Sequence, residues 1–442
     1  MKNKIKTALF ILSLVFFGSP GFAQSDSTVS LDQAIALSLT NSHQLKISSA
    51  KLLEAEADLR EAKDRQLPDF KITGSYLRLA EANVDLKMKI GGGGSGEGQP
   101  SNPSISQAVY GMANLSLPIY AGGRIRYGIE SARYLSEAAR LDAENDKSGI
   151  ILNTVQAYVN LFKAWQSVNL VRENLEASQS RDTTFHNLER NGLMARNDLL
   201  KSELQTSNIQ LTLLDAENNL SIAKINMNLL LGRPEEAPLD IDTAFFKQIP
   251  EAESFDTYYS RAFESRKDVQ ALDYRKKAAT VGTKAARAQS LPSLALTGGY
   301  IAADIPGLLT ITNAMNIGVG LQYNLANIWK KNTSLEKSKA REIQLAETSA
   351  ILNDQIRLEL NKSYQNYFLN RKKIAVVSQS VAQARENFRI TENKYNNGLE
   401  TLTNLLEADV SLLQANLNER FAQADAVLAY YQLLKTAGIL SK

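Results

Sequence analysis

Catalysis needs a nucleophile, a general base or a metal cage, and the residue types that supply them are scarce in this chain. Its 442 residues include two histidines, His43 and His186, no cysteine and six scattered methionines. Without cysteine there are no disulfides, no thiolate metal sites and no lipid-modified N-terminal Cys. The histidines stand far apart on amphipathic stretches, as surface or seam residues. Neither opens a His-Glu-x-x-His motif, and there is no nucleophile elbow. Six dispersed Met and two His do not make a copper or silver relay. Gly91-Gly92-Gly93-Gly94-Ser95-Gly96-Glu97-Gly98 is glycine-rich, but a phosphate cradle would end in Gly-Lys-Ser/Thr and lead into a helix. The sequence therefore reads as no enzyme, with no cofactor and no metal.

Polar residues of another kind gather at two short turns. Asn191-Gly192-Leu193 and Asn397-Gly398-Leu399 are turn formers, in which Gly or Asn supplies positive φ. Close behind them come Arg196 and Asp198 in the first stretch, and Glu400, Asn404 and Glu407 in the second. The plain reading is that such turns end helices and that a charge on a helix is a solvated face.

The elements that position these turns are long. Lys+Arg number 50 and Asp+Glu 47, a net charge of +3. Lys2, Lys4 and Lys6 lie at the N-terminus, so the remainder is near neutral, a poor match to nucleic acid. Those lysines precede an apolar run, Ala8 to Phe17, and then Gly21-Phe22-Ala23. The spacing predicts a signal peptide over 1–23, with Gln24 opening the mature chain. The run is too short for a transmembrane helix. Prolines are absent from 119–233 and 307–442, which permits very long helices. Apolar residues there follow three–four spacing. One seam runs through Tyr367, Ile374, Val377, Val381, Ala384, Phe388 and Tyr395, and a second through Leu402, Leu406, Val410, Leu413 and Leu417. A third runs through Leu200, Leu204, Ser207, Leu211 and Leu214. The helix expected from Arg124 to Arg190 would measure about 100 Å.

Between the helical blocks lie four segments of period two, at about 70–79, 108–118, 293–302 and 315–324. Each has the length and alternation of a transmembrane β-strand. Any one alone reads better as an ordinary half-buried soluble strand. Tyr120 and Trp329 fall just past strand ends, where membrane-interface aromatics belong. An internal repeat binds the four together. Gln66-Leu67-Pro68 recurs as Ser290-Leu291-Pro292 and Thr73-Gly74-Ser75-Tyr76 as Thr297-Gly298-Gly299-Tyr300, both offset by 224. Further on, Tyr158 matches Tyr364, Asn191-Gly192 matches Asn397-Gly398 and Gly232 matches Gly438, offset by 206. The organisation expected is a first repeat over 24–232, a connecting segment over 233–254 and a second repeat over 255–442. Each repeat reads helix, strand, loop, strand, long helix, turn, helix, and the two intertwine in one protomer.

Leu31-Asp32-Gln33-Ala34-Ile35-Ala36-Leu37 with Asn41 and Leu45, Leu117-Pro118-Ile119-Tyr120-Ala121-Gly122-Gly123-Arg124, and Tyr395-Asn396-Asn397-Gly398-Leu399 resemble the TolC-like outer-membrane efflux family. The resemblance spans Leu31 to Gly438. It implies a mainly α fold with a transmembrane β-barrel portion: a homotrimer with a 12-stranded barrel in outer-membrane lipid, set on a long periplasmic α-helical barrel. Physics agrees with three chains. Four strands cannot close, eight give an interior filled by side chains, and twelve leave a pore. The implied function is the passive exit duct of a tripartite efflux or type I secretion system, partnered by a periplasmic adaptor and an inner-membrane transporter. The two turns would mark the adaptor-docking tip and its gate. The family often places two carboxylates where this chain has Asn404 and Glu407, so a cation-concentrating mouth would rest on Glu407, helped by Asp198. The family's gate-locking basic residue corresponds to Glu400, a reversal of sign. Tyr395 with Asp198 is the latch that remains, and Arg196 would pair with Glu400. The alternatives are a soluble periplasmic coiled-coil scaffold and an adaptor protein. The four strand segments count against the first, and the duplicated helix–strand unit against the second.

Overall fold

The computed structural model describes residues 28–82, 105–247, 249–306 and 309–440; the expected signal peptide and the glycine-rich tip lie outside the described residues. In chain order the elements are β1 (Thr28–Val29), α1 (Leu31–Asn41), α2 (His43–Asp64), β2 (Asp69–Ala82), β3 (Ile105–Tyr120), α3 (Arg124–Arg190), α4 (Arg196–Leu231), β4 (Asp240–Ile241), α5 (Phe255–Ser265), α6 (Lys267–Ala288), β5 (Ser293–Ile305), β6 (Leu309–Gln322), α7 (Thr333–Asn396) and α8 (Leu402–Thr436). The offset of 224 carries both ends of α1 and α2 onto α5 and α6, and the offset of 206 carries the end of α3 and the start of α4 onto α7 and α8. Local chemistry repeats as well. Ser30 and Ser254 cap α1 and α5, each accepting from the backbone N–H three residues on, which satisfies a donor the helix start would otherwise leave bare.

The chain forms two compact units that interleave along the sequence. One draws on Ser42 and the residues before it, Ile150–Ala252 and Asn366–Tyr431; the other on His43–Gly149, Glu253–Gln365 and Gln432–Lys442. The second unit holds a four-stranded antiparallel sheet in the order β2-β3-β5-β6. Every strand joins its neighbouring helix at the same end of the sheet, because β2 and β5 follow helices whereas β3 and β6 lead into them. Where β3 turns into α3, Gly122 has φ +62°, and a Cβ there would meet the Ala288 carbonyl and the Leu291 Cβ, each at 2.8 Å. Only glycine fits that corner.

One face of the sheet is apolar. On β6, Met315, Ile317, Val319 and Leu321 are 66–82% exposed, and the opposite face carries Asn316, Gly318, Gly320 and Gln322. The strand differs from the expected 315–324. It begins at Leu309 and stops at Gln322, so Tyr323 lies beyond it. The early start escapes a period-two reading because a register shift interrupts the ladder between Ile301 and Ala303, where Asn313 takes φ 57° and resets the alternation.

The first unit is helical, with a short parallel pairing of β1 and β4. Its core includes Tyr158, Val155, Leu161 and Phe162, each no more than 2% exposed. The Tyr158 hydroxyl donates toward the Val29 and Asp242 carbonyls at 2.9 and 3.0 Å and accepts from the Asp242 N–H at 3.1 Å. Burial pushes that phenol well above its ordinary range. The seam expected on α7 holds, with Tyr367 and Val381 buried, whereas those on α4 and α8 need correction. On the first half of α4 the buried residues are Leu199, Ser202, Ile209 and Ala216, whereas the expected Leu200, Leu204, Leu211 and Leu214 are 50–64% exposed. On α8 Leu402 is buried as expected, but Leu405, Ala408 and Ala415 accompany it while Val410 is 48% exposed. On α4 there are thus two apolar stripes, and the Leu-rich one faces away from the chain's own core.

Candidate functional site

The two turns are built alike. At the end of α3 the Gly192 N–H donates to the Glu189 carbonyl and the Leu193 N–H to the Leu188 carbonyl, both at 2.9 Å, with Gly192 at φ +72°. At the end of α7 Gly398 and Leu399 donate to Tyr395 and Lys394, also at 2.9 Å, with Gly398 at φ +70°. This is the Schellman arrangement, which satisfies terminal carbonyls by placing one residue in the left-handed region. Asn191 and Asn397 each donate a side-chain amide back to the carbonyl four residues before, at 2.6 and 2.7 Å. Leu193 and Leu399 are left 74% and 76% exposed at the two tips.

Behind the tips all four helices meet. Phe185, Leu199, Leu402 and Leu405 are buried together, with Leu188, Met194, Phe388, Tyr395 and Leu406 packed around them. The rings of Phe185 and Tyr395 lie 5.8 Å apart at 60°. Burial, and then the neighbouring Asp198 carboxylate, raise the Tyr395 phenol, so these two expected latch residues are electrostatic neighbours. No hydrogen bond joins them among the described residues. Asp198 instead pairs with Lys201 at 3.2 Å, within its own first turn.

The expected Arg196–Glu400 pair is not made within the chain. Arg196 reaches back to Glu189 at 3.6 Å. Glu400 accepts from the Asn404 amide at 2.6 Å and from the Thr401 N–H at 3.1 Å, which hold its carboxylate below the usual range. Local partners win because they need no side chain to cross between hairpins, and one acid next to the bare N–H groups of α8 is favoured there. Glu407 is exposed and lines a groove with Lys201, Gln205, Leu406 and Val410. Tyr120 ends β3, and Trp329 follows the 3-10 turn Leu325–Ile328; they are 48% and 70% exposed.

The polar groups that sequence reasoning missed lie deeper. Arg181 on α3 and Asp409 on α8 form an ion pair at 2.5 Å, their side chains only 13% and 10% exposed. Asn174 donates to the other oxygen of Asp409 at 3.0 Å. The Arg181 Nε is buried with no partner. Its neighbour Asp182 faces α4, where Thr206 donates to its carboxylate at 2.5 Å and Ser202 donates as well. The central helix α3 is thus pinned by charge on both flanks. A cue existed. Asp409 stands one heptad after Leu402, on the buried phase of α8, where an acid breaks an apolar pattern. Beside the ion pair a cleft of about 510 Å³ opens between α3, α7 and α8, lined by Phe185, Phe388, Tyr395 and Leu412 among others.

Among the described residues no helix is long and apolar enough to cross a membrane, and no cluster of His, Cys, Asp or Glu could hold a metal ion. A family model described as outer membrane efflux protein matches residues 34–233 and 258–438. The chain is 23% identical over 428 residues to the pyoverdine export outer membrane protein OpmQ of Pseudomonas putida, covering 92% of this chain and 85% of that one. It is 21% identical over 441 residues to the outer membrane efflux protein BepC of Brucella suis, covering 99% and 90%. In fold it is similar to the outer membrane protein VceC of Vibrio cholerae, with a TM-score of 0.75 at 19% identity over 92% of this chain and 96% of that one. Since one family model spans most of its length in two successive stretches, this chain belongs to the outer membrane efflux protein family.

Proposed function

We propose that three copies of this chain form the outer-membrane exit duct of an export system, a passive channel that performs no chemistry. The observation that carries this reading is the sheet. Its outward face presents Met315, Ile317, Val319 and Leu321 in a row of bare apolar side chains, and the outer edges of β2 and β6 have no partner within the chain among the described residues. Apolar faces and unpaired edges are tolerated together only where lipid covers the face and further strands close the edges. Three copies supply twelve strands.

The helices support the same assembly. The stripe Leu200, Leu204 and Leu211 on α4, and Leu369, Val376 and Ile390 on α7, are exposed in one chain. A neighbouring copy would cover them. The cleaved leader would deliver the chain to the periplasm. The tips around Asn191-Gly192-Leu193 and Asn397-Gly398-Leu399 are the docking points for a periplasmic adaptor, through which an inner-membrane transporter is engaged. Asp198, Tyr395, Asn404 and Glu407 line the entrance, with Glu407 as its exposed acid. Tyr120 and Trp329 anchor the barrel at the lipid interface. The finer organisation follows the duplication, repeats over 24–232 and 255–442 joined by 233–254.

The test is the mass of protein extracted in detergent from a purified outer-membrane fraction, measured by light scattering. A trimer is the expected result. A monomer recovered from the soluble periplasm would overturn the channel reading in favour of a scaffold.

A further inference from the structure

The sheet register aligns one row of side chains across all four strands: Lys71 opposite Asn114, Asn114 opposite Gly299, and Gly299 opposite Asn316. Directly paired residues share a face, and this face is opposite the apolar row of Ile72, Ala113, Tyr300 and Met315. The row therefore belongs to the polar side, which becomes the lumen when the barrel closes. Gly299 leaves a gap that its neighbours occupy. The Asn316 and Asn114 amide oxygens lie 2.8 and 3.4 Å from where a Cβ on Gly299 would stand. The next row toward the helices holds Asp69, Ser116, Thr297 and Gly318.

Charge on this face is sparse. The charged residues of the four strands are Asp69 and Lys71 at the helix end, and Arg78, Glu81 and Asp304 at the far end; β3 and β6 have none. Asp69 and Lys71 stand two apart on one strand, hence on one face, and pair at 2.9 Å with side chains 59% and 72% exposed. An ion pair that open to solvent adds little to stability. Its field is another matter, because a water-filled lumen with low-dielectric walls focuses it on passing solutes.

We propose that Asp69 and Lys71 set the charge preference of the barrel section, as a compensated pair in an otherwise amide- and glycine-lined stretch. The assignment rests on the channel reading above. With both charges present this section passes solutes of either sign, and the preference of the whole duct is left to the entrance at the helical tips. Losing either partner leaves a ring of one sign, one charge per copy.

The experiment is the reversal potential of single channels in a planar bilayer under a potassium chloride gradient. It compares wild type with Asp69→Asn, Lys71→Gln, the double variant and Asn316→Asp. Asp69→Asn should move the potential toward that of chloride and Lys71→Gln toward that of potassium. The double variant should return close to wild type. Asn316→Asp, in the same row on another strand, should move it toward potassium. Conducting variants whose potentials match wild type overturn this assignment alone. A wild-type protein that forms no channel overturns the export reading and this assignment with it. All the substituted side chains are exposed, so none leaves a buried group unpaired.

Discussion

Replacing Arg181 by Met should loosen α8 from α3 more than any single change at the tips. The guanidinium is 13% exposed and sits 2.5 Å from an Asp409 carboxylate that is 10% exposed. Removing it leaves Asp409 with the Asn174 amide alone. Stranding one member of a buried ion pair costs about 3–5 kcal/mol, so local opening around Asp409 should become at least a hundred times more frequent, at about 1.4 kcal/mol per tenfold. Asp409→Leu should cost a similar amount, because it strands a guanidinium whose Nε is already unpartnered. The double variant Arg181→Met with Asp409→Leu strands neither charge, and such replacements run from neutral to stabilising by about 1–4 kcal/mol. Hydrogen exchange of the amides from Leu402 to Asn416 reads these opening free energies in the folded protein. The two singles should lose protection and the double should recover it. If the double loses the sum of the two singles, the residues are uncoupled, and the account of α3 as a helix pinned on both flanks is wrong.

Three further outcomes follow from the same unit. Gly192→Ala or Gly398→Ala should cost about 1–2 kcal/mol each in thermal or denaturant unfolding, purely from positive φ, since no atom lies within 4 Å of the added methyl. Equal stability would mean that the turn relaxes out of the left-handed region. Asp182→Ala should cost about 1–3 kcal/mol by taking the acceptor from Ser202 and Thr206, visible as faster exchange at the start of α4 and not of α8. Tyr431, pushed up to about 12 by burial and by the nearby Asp32, holds its proton more tightly folded than unfolded. Its contribution is complete below about pH 10 and should be lost as the pH rises toward 12. A Tyr431→Phe variant should lose less stability over that window, and an identical alkaline profile would refute the linkage.

How much of this was legible beforehand depended on whether a pattern had one physical cause or two. The ends of α3 and α7 could be placed because Gly192 and Gly398 report one requirement, a left-handed residue after a helix. The strands β2 and β5 were likewise visible, since an alternating run after Leu67-Pro68 or Leu291-Pro292 has one structural outcome. The start of β6 was not, because the irregular step at Asn313 erases the alternation. At the tips, the family resemblance brought Tyr395 and Asp198 together, but the pairing of Arg196 with Glu400 that came with it is not made within the chain. Distance along the chain carries no information about which of several neighbouring carboxylates a flexible arginine prefers.

The seam on α7 held, with Tyr367 and Val381 buried and Phe388 and Tyr395 packed behind the tip, but the one on α4 failed for a more instructive reason. Leu199 is fully buried and Leu200 is 50% exposed, though the two are adjacent and equally apolar. Neighbours on a helix point about 100° apart, so α4 has one stripe for its own chain and another for something else. A three–four count finds both and ranks them by apolar content, which favours the Leu-rich outer stripe over Leu199, Ser202, Ile209 and Ala216. A helix in an isolated bundle has no reason to keep a second Leu stripe in water, where it invites aggregation. The seam expected on α4, and the exposed stripe Leu369, Val376 and Ile390 on α7, are the surfaces that the proposed assembly would cover. The interior of the chain's own hairpins is marked instead by exceptions to apolarity, Ser202 with Asp182 and Asp409 with Arg181, because a buried polar group is stable only where a particular partner meets it.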